Sequence, residues 1–179
     1  TVIVSCDVGT KNLAMCIIDG SSEFDNSRII SLELLQITTE NSYTCKFLSD
    51  TISVLNNWYN SYKTLLDNTT LHFLIERQPN KSYLMSMAMA SILTWAKCTF
   101  SNATSIIANP KHKFGLVHHD SKLSYKERKK KAIELCLEIT QNSPWSQTIK
   151  SQSKKDDLCD SLLQGIFYVK KLHPINSTT

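Results

Sequence analysis

Several acidic residues in this sequence could together bind divalent metal ions. Asp7 lies near the end of an apolar, β-branched run, and Glu76 ends a second short apolar run. The segment Asp156-Asp157-Leu158-Cys159-Asp160 places three more acids close together. Carboxylates are oxygen ligands of the kind that Mg²⁺ prefers. Two such ions roughly 4 Å apart can promote the hydrolysis of a phosphodiester by water. We therefore expect phosphodiester chemistry if these acids converge.

The spacing of the last three acids leaves one assignment open. Asp157 and Asp160 are three residues apart, and Asp156 and Asp160 are four apart, so either pair would share a helix face. Acids in a first helical turn also complement the helix dipole, and Asp7 alone could shape the turn at Gly9. The recurrence of acids at two strand ends and in one first turn favours the metal-site hypothesis.

Basic residues adjoin these acids or form a run of their own. The run at the start of a predicted helix contains Lys126, Arg128, Lys129, Lys130 and Lys131. Positive charge there opposes the helix dipole, so we interpret the run as a face that contacts a polyanion, although a solvated face is the alternative. The remaining basic residues predicted to contact phosphate, and hence to bind DNA if the partner is a nucleic acid, are Lys11, Arg77, Lys81, Lys111, Lys113, Lys154 and Lys155. Contacts of this kind position the phosphate backbone without reading bases.

Hydrophobic patterning predicts the elements that would position these residues. Two apolar runs at 2–8 and 13–18, separated by a Gly/Asn turn, predict an antiparallel hairpin. Residues 28–37 predict its third strand, and 71–75 and 104–108 predict two more. Helices are predicted at 47–66, 81–100, 124–141 and 153–171, the last two opened by Ser-x-x-Glu and Ser-x-x-Asp capping signals. The resulting order, βββ-α-β-α-β-α-α, predicts a mixed sheet with helices on its faces.

The predicted helix at 81–100 is apolar on almost every side and rich in Met and Ala. Such a helix is normally buried, either by the rest of its own fold or by a partner subunit. It is therefore a candidate dimer interface, although packing within one subunit is an equally good interpretation.

Length and composition favour one globular domain spanning residues 1–179. The chain is 41% hydrophobic and 20% charged, with a net charge of +4. Its six cysteines form no C-x-x-C pair, so we predict reduced thiols in an intracellular, reducing compartment. No apolar run approaches the roughly 20 residues that span a bilayer, and no leader peptide is visible, so we expect no membrane association.

Four fragments carry a resemblance to a known family. They are Asp7-Val8-Gly9-Thr10-Lys11-Asn12, Ile75-Glu76-Arg77-Gln78, Ser124-Tyr125-Lys126-Glu127-Arg128-Lys129-Lys130 and Lys154-Lys155-Asp156-Asp157-Leu158-Cys159-Asp160-Ser161. In order, and with compatible predicted secondary structure, they resemble the poxvirus Holliday junction resolvases, the fungal mitochondrial resolvases and, more distantly, bacterial RuvC-type enzymes. The resemblance implies an α/β fold of the ribonuclease H-like class, with a mixed five-stranded sheet of three antiparallel and then two parallel strands, flanked by helices.

The same resemblance implies a metal site of four acids in a homodimeric enzyme. Carried over by position, the acids are Asp7, Glu76, Asp157 and Asp160, with Asp156 as the alternative to Asp157. They would hold two Mg²⁺ ions per active site, with Mn²⁺ as a substitute and no small-molecule cofactor. A basic residue of the helix after Ser124 would lie near the scissile phosphate.

The implied activity is endonucleolytic cleavage of four-way and other branched DNA, leaving 5′-phosphate ends. Its expected role is viral genome concatemer processing and DNA recombination, at the viral replication site in the host cytoplasm. The alternative is a mitochondrial protein that acts on junctions in mitochondrial DNA.

Three other functions remain as alternatives. The first is a nuclease of the same fold that cuts flap DNA or an RNA–DNA hybrid, because a fold does not determine its substrate. The second is an actin-like ATPase, which shares Asp-x-Gly-Thr after its first strand but needs more glycine-rich phosphate turns than four glycines provide. The third is an inactive DNA-binding module, which is disfavoured because every acid position is filled.

Overall fold

A computed structural model describes residues 1–37, 44–78, 82–110, 116 and 123–174. Its five strands are β1 Val2–Val8, β2 Asn12–Asp19, β3 Ile29–Gln36, β4 Leu71–Glu76 and β5 Thr104–Ala108. They form one sheet in the order β3-β2-β1-β4-β5. β1, β2 and β3 are antiparallel, whereas β4 pairs with β1 and β5 pairs with β4 in parallel. The predicted mixed sheet of three antiparallel and two parallel strands is confirmed.

Among the described residues, five α-helices accompany the sheet: α1 Thr44–Asp67, α2 Tyr83–Thr99, α3 Tyr125–Ile139, α4 Pro144–Ser151 and α5 Lys155–Leu172. The predicted capping box at the start of α3 is confirmed, because Ser124 and Glu127 bond to each other's backbone N–H groups. The predicted cap of α5 by Ser153 is wrong, since the N-cap is Lys154 and no side chain caps this helix.

The helix α4 was not predicted from the sequence. It is eight residues long, with Ser143 at its N-cap and Pro144 in its first turn. Both residue types favour a helix start, so a signal was present, but the segment is too short to display a clear apolar period.

The sheet is buried on both faces, which explains why its central strand is a nearly continuous apolar run. From β1, Val4 and Cys6 pack with α1 and α2 in one core cluster. The neighbouring Ile3 packs with α3, α4 and α5 in a second cluster on the opposite face. Because side chains alternate along a strand, Asp7 lies on the same face as Ile3, toward α5.

Gly165 lets α5 lie unusually close to the sheet. A Cβ atom added there would lie 2.7 Å from Ile18 Cδ1 and 3.4 Å from Ser5 Cβ. Since Ile18 and Ser5 are both fully buried, a larger residue would require the Ile18 side chain or the helix to shift. The absence of a side chain at Gly165 therefore permits the close approach of α5 to β1 and β2.

The apolar helix α2 is only partly buried within this chain. Its buried residues are Ala88, Ile92, Trp95 and Ala96, whereas Tyr83 is 75% exposed. The prediction of burial is therefore right for one face of the helix. The exposed remainder of α2 is still a candidate dimer interface, and that hypothesis stays a prediction.

All six cysteines are free thiols, and four of them are buried. The four buried thiols pack among the core side chains, as small apolar residues do. Within the described ranges, no helix combines the length and apolar character needed to cross a membrane.

Candidate active site

The register of the parallel strands places Asp7 beside Glu76. Cys6 pairs with Ile75 across β1 and β4, so the residues that follow them lie at the same level on adjacent strands. Residues paired in this way point to the same face of a sheet. Both carboxylates therefore emerge at the carboxyl ends of β1 and β4, on the face covered by α5.

The first two turns of α5 supply two more carboxylates to the same place. Together with the strand-end acids they line a cavity of about 300 Å³. The lining residues are Asp7, Glu76, Gln78, Pro110, Tyr125, Lys129, Asp157 and Asp160. All four acids proposed as metal ligands thus border one cavity, although they come from three elements distant in the sequence.

A buried polar contact connects the acidic face of α5 to β1. Gln164 lies four residues after Asp160, on the same side of the helix, and is 5% exposed. Its Nε2 donates to Ser5 Oγ at 2.9 Å and to the carbonyl oxygen of Cys6 at 3.4 Å. The contact fixes the helix against the strand immediately before Asp7.

Replacing Gln164 by Met is expected to lower the free energy of unfolding by about 1–3 kcal/mol, because Ser5 Oγ and the Cys6 carbonyl lose a buried donor. Urea denaturation would measure this change. The double variant Gln164→Met/Ser5→Ala is expected to lose less than the sum of the two single changes, since the unpaired hydroxyl is then removed as well. Strictly additive losses would contradict the proposed contact.

The structure distinguishes Asp156 from Asp157. Asp157 lines the cavity, whereas the Asp156 carboxylate forms an ion pair with the Lys129 ammonium. Burial raises the pKa of Asp156, but the hydrogen bond and the charge of Lys129 outweigh it and hold the pKa below its usual value. Of the two alternatives, Asp157 is the one that borders the cavity together with Asp7, Glu76 and Asp160.

The charges around the cavity influence one another. Burial raises the pKa of Asp157 above its usual value, and the negative charge of Asp156 raises it further. The charges of Lys129 and Lys154 oppose this shift. Burial lowers the pKa of Lys129, but its contacts with Asp156 and Tyr125 outweigh that effect and raise the pKa above its usual value. A raised carboxyl pKa is expected where acids cluster, and a bound cation would relieve the repulsion.

The donor types around the cavity suit a hard divalent cation, because they are carboxylate oxygens and the Gln78 amide. In residues 1–37, 44–78, 82–110, 116 and 123–174, however, no three His, Cys, Asp or Glu side chains are placed so that they could hold a metal ion. The four acids therefore border a common space without converging on one point. Ion binding requires their side chains to turn toward it, and all four are only partly buried.

Of the predicted DNA-binding residues that the structure describes, Lys129 is the one that lines the cavity. The other described members are exposed, except for the half-buried Lys155; they are Lys11, Arg77, Lys126, Arg128, Lys130, Lys131, Lys154 and Lys155. Lys81, Lys111 and Lys113 lie outside the described residues. The basic run of α3 therefore consists of one residue facing the acids and several facing solvent.

Gln78 and Tyr125 line the cavity but were not predicted to contribute to the site, and neither was Pro110. Gln78 is 9% exposed and donates through Nε2 to the Glu76 carbonyl oxygen at 3.2 Å. Tyr125 is 63% exposed, and its ring centroid lies 5.2 Å from Lys129 Nζ. The sequence pattern gave little indication of a role for either residue, since Gln78 only lies close after a strand-end acid and Tyr125 only follows a helix cap.

Comparison with known proteins gives a family for the chain. The family model described as the Poxvirus A22 protein matches residues 1–173. No curated protein matches the sequence.

Several solved structures share the fold. The fowlpox virus resolvase, solved with substrate Holliday junction DNA, is 25% identical, with a TM-score of 0.64 over 94% of this chain and 99% of that chain. Thermus thermophilus RuvC is 13% identical, with a TM-score of 0.63 and 96% coverage of both chains. The yeast mitochondrial Holliday junction resolvase Ydc2 is 16% identical, with a TM-score of 0.57 over 94% of this chain and 78% of that chain.

These similarities confirm both the resemblance in the sequence and the expected ribonuclease H-like class of fold. Neither the actin-like ATPase nor the inactive-module alternative is favoured by them. The chain belongs to the poxvirus A22 protein family, the family of poxvirus Holliday junction resolvases.

Proposed function

We propose that this chain is a structure-specific endodeoxyribonuclease that resolves Holliday junctions and related branched DNA. The observation that carries the proposal is the placement of Asp7, Glu76, Asp157 and Asp160 around one cavity, beside Lys129. Membership of the family makes branched DNA the substrate class to test first. The similar fowlpox resolvase was solved with junction DNA bound.

The four acids are proposed to hold two Mg²⁺ ions, for which Mn²⁺ can substitute. When bound, such ions offset the negative charge of the phosphate and favour deprotonation of an attacking water. Asp7 and Glu76 would hold the ions from the sheet, and Asp157 and Asp160 from α5. Because no other basic side chain among the described residues lines this cavity, Lys129 is proposed to contact a phosphate oxygen there.

The proposed reaction is an in-line attack of water on phosphorus, with cleavage of the bond between phosphorus and the 3′ oxygen. The products are a 5′-phosphate and a 3′-hydroxyl, which a ligase can rejoin. Resolution of a four-way junction requires two such cuts, so we propose that the enzyme acts as a homodimer. The exposed part of α2 is a candidate interface.

The exposed basic residues of α3 and of the loop before α5 are proposed to position the DNA backbone. Phosphate contacts of this kind release counterions, so affinity should fall steeply with salt concentration. Recognition would then depend on the shape of the junction more than on its bases. We propose that the enzyme acts in concatemer processing and recombination, at the site of viral DNA replication in the host cytoplasm.

A comparison of three substrates tests the proposed function directly. With Mg²⁺, the enzyme is expected to cut a four-way junction faster than a 5′ flap, and an RNA–DNA hybrid least of all. The junction products should be paired nicked duplexes that DNA ligase seals without prior end repair. Preferential cutting of the hybrid or the flap would instead support the alternative of a same-fold nuclease with another substrate.

A further inference from the structure

The ion pair between Lys129 and Asp156 connects the helix that carries the basic run to the helix that carries two of the acids. The lysine and aspartate side chains are 30% and 24% exposed. A neighbouring pair on α3, between Lys130 and Glu134, is much looser, with 3.8 Å between its charged atoms and exposures of 79% and 60%. The first pair is therefore partly shielded from water, which strengthens it relative to a surface pair.

A second contact restricts the same ammonium group. Lys129 Nζ lies 5.2 Å from the ring centroid of Tyr125, one helical turn earlier on α3. A cation over an aromatic face is attracted by the ring quadrupole. The long lysine side chain is thus held from two sides, by a carboxylate of α5 and by a ring of α3.

These contacts hold Lys129 at the edge of the acid-lined cavity. Lys129 and Tyr125 both line it, whereas Asp156 is not among its lining residues. An ammonium carries three N–H donors, so a hydrogen bond to Asp156 leaves donors for a phosphate oxygen. An unrestrained lysine side chain would instead sample many rotamers. Orienting its ammonium toward the phosphate would then cost free energy in each turnover.

We propose that Asp156 is a positioning residue, which holds the Lys129 ammonium in the orientation that contacts the phosphate. The inference rests on the proposed function and adds a role for an acid that the four-ligand site does not use. The proposed role also accounts for the three acids between positions 156 and 160, since Asp157 and Asp160 face the cavity and Asp156 orients the lysine that lines it.

A double-mutant cycle tests this role, with single-turnover cleavage of pre-bound junction as the readout. Asp156→Asn is expected to slow cleavage by about ten- to a hundredfold, as for other partners that orient a functional group. In a Lys129→Ala background the same change is expected to cost less than about twofold, because its target is gone. Equal losses in both backgrounds would overturn the inference.

Two further measurements separate positioning from metal binding and from folding. The Mg²⁺ concentration for half-maximal rate is expected to be unchanged in Asp156→Asn; a large increase that persists without Lys129 would make Asp156 a ligand and overturn the proposal. Asp156→Glu retains the charge and is expected to restore most of the rate. If Asp156→Asn is poorly folded by circular dichroism, Asp156→Ser replaces it in the same cycle.

Failure of the inference can be distinguished from failure of the proposed function. A wild-type chain that cuts no branched DNA with any divalent ion contradicts the function itself. A wild-type chain that cuts junctions, with additive effects at positions 129 and 156, contradicts only the role of Asp156.

Discussion

Asp7→Asn is expected to lower the single-turnover rate of junction cleavage by at least about 1000-fold. Asp7 is the carboxylate of the central strand β1, adjacent to Glu76 and opposite the acids of α5. Loss of a ligand that supports several kcal/mol of charge stabilisation in the transition state corresponds to a factor of this size. The rate would be measured on labelled four-way junction with saturating enzyme and Mg²⁺.

Junction binding by the same variant is expected to be unchanged or slightly tighter, because a negative charge near the DNA is removed. It can be measured with Ca²⁺ in place of Mg²⁺, since the looser coordination of Ca²⁺ should support binding without turnover. Asp19→Asn is a matched control, because Asp19 pairs across the sheet with Val2, about 17 Å along β1 from Asp7. A cleavage rate of Asp7→Asn close to that of Asp19→Asn would refute the assignment of Asp7.

Lys129→Ala is expected to lower the cleavage rate by about 100-fold, the effect of losing one preorganised donor to developing charge. The dissociation constant of the junction is expected to change much less, because the exposed basic residues retain most of the phosphate contacts. Single-turnover cleavage and fluorescence anisotropy, on the same junction, measure the two quantities separately.

The matched control for this change is Lys170→Ala, which removes the same charge from an exposed position near the end of α5. Lys170 is thirteen residues beyond Asp157, or about 20 Å along the helix. The Lys170→Ala variant is expected to cleave the junction at the wild-type rate. A Lys129→Ala variant that binds weakly but, once saturated, cuts as fast as this control would assign Lys129 to general DNA binding.

The sequence predicts the acids on the sheet because strand ends are local features. Asp7 and Glu76 each follow a largely apolar run, and parallel strands bring their carboxyl ends to one edge. The strands themselves matched the prediction within two residues at each end. The capping box at Ser124 was equally local, and the structure contains it.

Local patterns could not choose between Asp156 and Asp157, nor between the basic residues of α3. Both choices depend on how α3 and α5 are rotated against each other, which the ion pair between Lys129 and Asp156 reflects. The contact between Gln164 and Ser5 spans 159 residues, so no spacing rule could predict it. The close approach at Gly165 has the same origin in tertiary packing.

Four carboxylates from β1, β4 and α5 are proposed to bind divalent cations in one cavity. The most direct test is a crystal of the enzyme with junction DNA and Mn²⁺, examined by anomalous scattering at the manganese edge. We expect anomalous peaks in the cavity, with oxygens of Asp7 and Asp157 about 2.0–2.3 Å from an ion. Anomalous peaks elsewhere, or an ion in the cavity without Asp7 among its ligands, would contradict the claim.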